Sequence, residues 1–211
     1  MRAGQFSQIA PACLLAILSS AHADTLIGNY SAPVGTGTIF GTTATTIYKA
    51  AGFTMPAQSY TLDRVRLSMN FGGLGTPVIS IWTGATTPTT QVATLNNPPT
   101  TTGSGDFEFT PASPLTLDAG QTYWVYVASI PNPTGNFLWD GTTPSTLPTG
   151  IATFVSYIFN GSPSTFRNRF EVIANPAGSP CYANCDHSTI PPILNVNDFT
   201  CFLNLFAAGC P

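Results

Sequence analysis

The stretch from Tyr60 to Phe71 reads YTLDRVRLSMNF. Val65, Leu67, Met69 and Phe71 fall on one side of an extended chain, and Arg64, Arg66, Ser68 and Asn70 fall on the other. Period-two alternation of this kind predicts a strand with one face on a core and one in water, the habit of antiparallel sheets. Pro77 to Trp82 continues it with Ile79 and Ile81, and Asp106 to Phe109 sets Phe107 and Phe109 on one side. Thr122 to Ser129, TYWVYVAS, is apolar on both sides and rich in aromatic and β-branched residues, which predicts a central strand.

Working outward, further strands are expected at Thr25 to Tyr30, Ala50 to Met55, Gln91 to Leu95, Phe137 to Trp139, Ile151 to Phe159 and Phe166 to Ala174. Clusters of Gly, Pro, Asn and Thr separate them, and no helical period is sustained before residue 196. A succession of short strands without intervening helices excludes a βαβ arrangement. The expected fold class is all-β, an antiparallel two-sheet sandwich of jelly-roll type, followed by a small disulfide-stapled loop-helix module.

The chain opens MRAGQFSQIAPACLLAILSSAHAD, with Arg2 ahead of an apolar run from Ala12 to Leu18 and Ala21-His22-Ala23 as an A-x-A cleavage site. This reads as a secretory signal peptide over residues 1–23. Its apolar core falls well short of the ~20 residues that span a bilayer, and no later segment is a candidate, so no transmembrane segment is expected. Without the signal peptide the chain keeps five basic and nine acidic residues, a net charge of −4. The basic residues are scattered, which leaves no electrostatic footprint for nucleic acid or an anionic membrane surface. Charged residues make up 7% of the chain, so hydroxyls do most of the solvation. The 14 Phe, 7 Tyr and 3 Trp supply the apolar area of a core and argue against disorder.

Residues 24–174 form the expected sandwich and residues 175–180, NPAGSP, a linker of breakers. Beyond them Cys181, Cys185, Cys201 and Cys210 lie within residues 181–211, and in an exported chain they are expected to oxidise and staple that segment alone. Three pairings satisfy four cysteines: 181–185 with 201–210, 181–201 with 185–210, or 181–210 with 185–201. A zinc site is disfavoured by the exported compartment and the lack of paired C-x-x-C elements. Asp198 to Ala208 places Phe199, Phe202, Leu203 and Phe206 at i, i+3, i+4 and i+7, one face of a helix, with Gly209 and Pro211 to stop it. Oxygen-bearing Asn184, Asp186, Ser188, Asn195 and Asp198 precede or open that helix, as in a loop that wraps Ca²⁺.

The segment CYANCDHSTIPPILNVNDFTCFLNLFAAGCP resembles the C-terminal repeat of GC-type dockerin domain-anchored proteins. Dockerin repeats are EF-hand variants, and the resemblance implies cation ligands at Asn184, Asp186, Ser188, Ile193 through its backbone carbonyl, Asn195 and Asp198. This loop has six residues between Ser188 and Asn195 where the pattern has three, lacks the Gly at position six, and carries only two carboxylates, Asp186 and Asp198. Such a site implies weak Ca²⁺ binding, about 10⁻⁴ to 10⁻³ M. The alternative is that disulfides replace the metal, with Asn184, Asp186 and Asn195 forming turns and Asp198 capping the helix. Dockerin domains usually carry two repeats and this chain shows one. The partner implied is a cell-surface or extracellular protein, met by Phe199, Phe202, Leu203 and Phe206. AAGFTMPAQSYTLDRVRLSMNF, PVISIWTGATTPTTQVATL and FEFTPASPLTLDAGQTYWVYVAS resemble the choice-of-anchor R domain, a secreted bacterial sandwich that occurs with different C-terminal anchoring signals.

No catalytic constellation stands out. The one histidine outside the signal peptide, His187, sits in the cysteine-rich loop without a partner to orient it. A glycosidase needs two carboxyls facing across a substrate. Glu108 and Glu171 alternate with apolar neighbours and are expected to face water, and hydrolysis of a glycan by a hidden pair among these two and Asp63, Asp106, Asp118 and Asp140 is the weaker alternative. The runner-up to anchoring is polysaccharide binding by exposed aromatics. Trp82, Tyr126, Tyr157 and Trp139 are the strand aromatics considered, and Trp139, before Asp140-Gly141, is the one expected at the surface. The sequons at Asn29 and Asn160 are taken as chance matches.

Overall fold

The computed structural model describes residues 23–41, 46–72, 75–129, 135–177 and 196–207. The chain divides into two compact units, one from Ala21 to Ala177 and another that includes Gly178–Pro211. The first unit is antiparallel β throughout its described residues. Its strands are β1 (Asp24–Gly28), β2 (Val34–Phe40), β3 (Tyr48–Thr54), β4 (Tyr60–Phe71), β5 (Pro77–Thr83), β6 (Thr90–Asn96), β7 (Gly103–Pro111), β8 (Thr116–Leu117), β9 (Thr122–Ser129), β10 (Phe137–Thr142), β11 (Thr149–Gly150), β12 (Thr153–Phe159), β13 (Ser162–Ser164) and β14 (Phe170–Pro176).

Hydrogen bonding runs in the order β11-β1-β14-β4-β7-β6-β5-β9-β3-β12-β13, with β10 joining β4 to β2 and β8 pairing β4. The sheet curls, since side chains from β4, β7 and β14 meet those of β3, β5, β9 and β12 in one core cluster. Strand β4 supplies Val65, Leu67 and Met69, each fully buried, as its alternation requires. Register carries the pattern to its neighbours: Val65 lies opposite Phe109 on β7 and Val172 on β14, and Arg66 lies between Glu108 and Glu171. Strand β9 is central, flanked by β3 and β5, and Tyr123, Trp124, Val125 and Val127 are all buried.

The outer side of β4 is less wet than its alternation suggests. Ser68 is buried and donates to Asp140 Oδ2 at 2.8 Å. Strand β2 was hidden by glycine spacing in VGTGTIF, and it pairs β10 from Val34↔Thr142 to Phe40↔Phe137. A Cβ on Gly37 would strike the Trp139 carbonyl, so close backbone approach, and no turn, places that glycine. Asn160 and Gly161 form the β12–β13 turn with φ of 46° and 84°, a pair of left-handed residues that suits a tight hairpin.

In the second unit the described residues form helix α1 (Val196–Ala207), which begins two residues before the expected start at Asp198. No helix among the described residues is long and apolar enough to cross a membrane.

Candidate functional site

Helix α1 carries its apolar residues as a stripe, and the stripe faces solvent. Val196 is 74% exposed, Phe199 60%, Leu203 46% and Phe206 64%. Phe202 is half-buried and stacks on Phe206 with centroids 6.1 Å apart. Asp198 is buried in the first turn, where a carboxylate is favoured by the N-terminal end of the helix dipole. It lies inside the helix and not ahead of it, so it does not occupy the N-cap position. Asn184, Asp186, Ser188, Ile193, Asn195, Cys181, Cys185 and Cys210 lie outside the described residues, and so does the geometry of the expected Ca²⁺ loop.

Asp63, Asp106, Glu108 and Glu171 are held by arginines and Asp140 by a hydroxyl. Arg66 reaches Glu108 at 2.9 Å and Glu171 at 3.1 Å, Arg64 pairs with Asp63 and Glu108, and Arg169 reaches Asp106 at 3.2 Å. The Arg66 hydrogen bond holds the Glu108 carboxyl below its ordinary pKa. Asp140 is buried and accepts from Ser68, and burial pushes its pKa up. Tyr30 is clasped between Arg169 and Arg66, 3.9 and 5.3 Å from its ring centroid. Its buried hydroxyl lies beside Asp106 without closing a hydrogen bond of ordinary geometry. The described ion pairs thus gather on β4, β7, β14 and the residue entering it, Arg169.

The expectation for Trp139 is overturned. Its side chain is fully buried in the core, Nε1 donates to the Arg169 carbonyl at 3.0 Å, and Phe170 packs edge-on at 6.4 Å. The following Asp140-Gly141 continues β10 and makes no turn, which leaves the indole no route to the surface. Tyr157 is equally buried, its hydroxyl donating to the Asn168 carbonyl at 2.7 Å.

Trp82 and Tyr126 do come together, with a third ring absent from the sequence reading. Trp82 on β5, Tyr126 on β9 and Tyr48 on β3 stack in a row, with centroids 4.7 and 4.6 Å apart and planes within 23°. All three are partly exposed. They pack with Trp124, Ala50, Ile158 and Val155 in a cluster separate from the main core. Trp82 Nε1 donates to Ser80 Oγ at 2.8 Å and Trp124 Nε1 to the Gly84 carbonyl at 2.7 Å, which fixes both indoles. Burial raises the Tyr126 pKa to about 12. Tyr48 was missed because its strand was expected to begin two residues later, at Ala50.

One residue past Trp82 the β5–β6 loop and the turn before β9 enclose a cleft of about 350 Å³, with Thr83, Gly84, Thr89, Gln121 and Thr122 in its lining. Thr122 Oγ1 shares a hydrogen bond with Thr54 at 2.8 Å, and Thr89 Oγ1 donates to the Thr83 carbonyl at 3.1 Å. Among the described residues no ionisable side chain lines the cleft. In comparisons with known protein families and with curated proteins, the chain matches no family model and no curated sequence.

Proposed function

We propose that this chain is a secreted, non-catalytic β-sandwich retained at or near the cell surface through its C-terminal tail. The exposed stripe Val196, Phe199, Leu203 and Phe206 on α1 carries this reading. Burying such a surface yields roughly 25 cal/mol per Å², and a contiguous row of large apolar side chains on a short helix suits a helix-in-groove contact with an extracellular protein. The tail acts as a single dockerin-like repeat, in keeping with its resemblance to GC-type dockerin-anchored proteins. Disulfides among Cys181, Cys185, Cys201 and Cys210 are its main staple, with Ca²⁺ a weak second ligand of the loop.

The two-sheet arrangement is the finer reading of the curled sheet. A core fed by β4, β7 and β14 from one side and β3, β5, β9 and β12 from the other supports it. The non-catalytic reading draws support from the engagement of Glu108, Glu171, Asp106 and Asp63 in ion pairs on the sheet surface. Deleting residues 181–211 and following the protein between cells and medium tests the proposal. Retention should be lost, and unchanged retention would remove the anchoring claim.

A further inference from the structure

We propose that the cleft beside Trp82 binds a neutral polysaccharide, with the exposed part of the Trp82 ring against a sugar ring and Gln121, Thr89 and Thr122 hydrogen-bonding its hydroxyls. Trp82 ends the three-ring row: Tyr126 stacks on one side of its ring, Gln91 of β6 lies opposite it in register, and the indole stays partly exposed. Its Nε1 is tied to Ser80, which holds the indole in place before any ligand arrives and lowers the ordering cost of binding. The cleft begins at the next residue, Thr83. Trp124, directly opposite Trp82 in register, is bonded to Gly84 in the same lining. The aromatic row and the cleft are therefore parts of one rigid corner of the sheet.

The chemistry of this corner selects the ligand. Hydroxyls and one primary amide line the cleft, with no ionisable side chain among them. A charged ligand would lose its hydration there with no ion to replace it. The described arginines that form ion pairs lie on β4 and the chain entering β14, already committed to carboxylates. A purely apolar partner would leave Gln121, Thr89 and Thr122 facing hydrocarbon. A neutral sugar satisfies both halves, with C–H groups for the indole and hydroxyls for the amide and threonines. A volume of about 350 Å³ lies at the small end of ligand clefts, which suits a short stretch of a chain.

The test uses the full secreted chain in affinity electrophoresis through gels containing β-glucan, xylan, mannan or dextran, with polygalacturonate and alginate as acidic counterparts. Retardation is expected in at least one neutral polysaccharide and in neither acidic one. Gln121→Ala, at an exposed position, and Trp82→Ala should each weaken it tenfold or more, while Phe206→Asp in the tail leaves it unchanged. A melting curve checks that each variant is folded. Failure of every neutral polysaccharide, retardation confined to the acidic ones, or full retardation of Gln121→Ala and folded Trp82→Ala would overturn the proposal.

Discussion

Lys49 holds Phe166 twice: its Nζ donates to the Phe166 carbonyl at 3.0 Å and lies 4.6 Å from the Phe166 ring centroid. Lys49 is 1% exposed on the inward side of β3, and burial, with Arg167 nearby, lowers its pKa from 10.5 to about 8. Between those values the unfolded chain binds a proton that the folded chain has released, so this group makes stability rise with pH from about 8 towards 10.5. Burial raises the pKa of Tyr30 and Tyr157, and these groups oppose the rise above pH 10. Lys49→Met should be more stable than the parent at pH 7 by roughly 1–3 kcal/mol, the carbonyl and ring contacts offsetting part of the burial cost. Urea denaturation at pH 7, 8, 9 and 9.5 checks it. A variant less stable at pH 7 would show that those contacts outweigh the cost.

Trp139→Ala removes a fully buried indole and should cost about 3–5 kcal/mol. Trp139→Phe keeps most of the volume but leaves the Arg169 carbonyl without its donor, at about 1–3 kcal/mol. Chemical denaturation separates the two. A negligible loss in the alanine variant would place this indole at the surface after all.

Gly52 lies on β3 under the Trp124 ring, and a Cβ there would meet ring carbons at 2.6–2.7 Å. Gly52→Ala should therefore displace the indole and destabilise the domain by about 1–3 kcal/mol. Trp124 fluorescence and a thermal melt read both effects together. An unshifted melt with an unchanged spectrum would contradict the close approach.

Arg66 lies between Glu108 and Glu171, but Glu108 keeps 46% of its side chain in solvent. Glu108→Gln should thus cost no more than about 1 kcal/mol near neutral pH. The depressed Glu108 pKa makes its contribution present above the ordinary 4.5 and lost as pH falls through the folded value. A denaturation series from pH 7 to pH 3 should show parent and variant converging at the acid end. A constant gap would mean that packing, and not charge, sets the difference.

Legibility followed periodicity. Strands β4 and β9 begin and end at the expected residues, because alternation in one and uniform apolarity in the other leave no second register. Strand β2 escaped because Gly35 and Gly37 resemble breaks, while in space they admit the β10 backbone. Trp139 was misplaced for a related reason: Asp140-Gly141 spells a turn, yet Gly141 pairs Gly35 and Asp140 is buried against Ser68. Lys49 gave no signal, since a lysine at a strand start ordinarily marks solvent. The Trp82–Tyr126–Tyr48 row depends on three strands distant in sequence becoming neighbours, which no local pattern encodes. Phe199, Leu203 and Phe206 of the α1 stripe were legible from their spacing, because a helix face is a local property, while Val196 lay ahead of the expected helix start and Phe202 is half-buried.

Retention by the tail is tested most directly by substituting its exposed stripe within the full chain. Phe199→Asp with Phe206→Asp replaces two side chains that are 60% and 64% exposed, at the cost of the Phe202–Phe206 stack, and a melting curve checks that the variant is folded. Comparing cell-bound and released fractions of parent and variant, the account predicts a shift of most of the protein into the medium. An unchanged cell-bound fraction in a folded, secreted variant would contradict it.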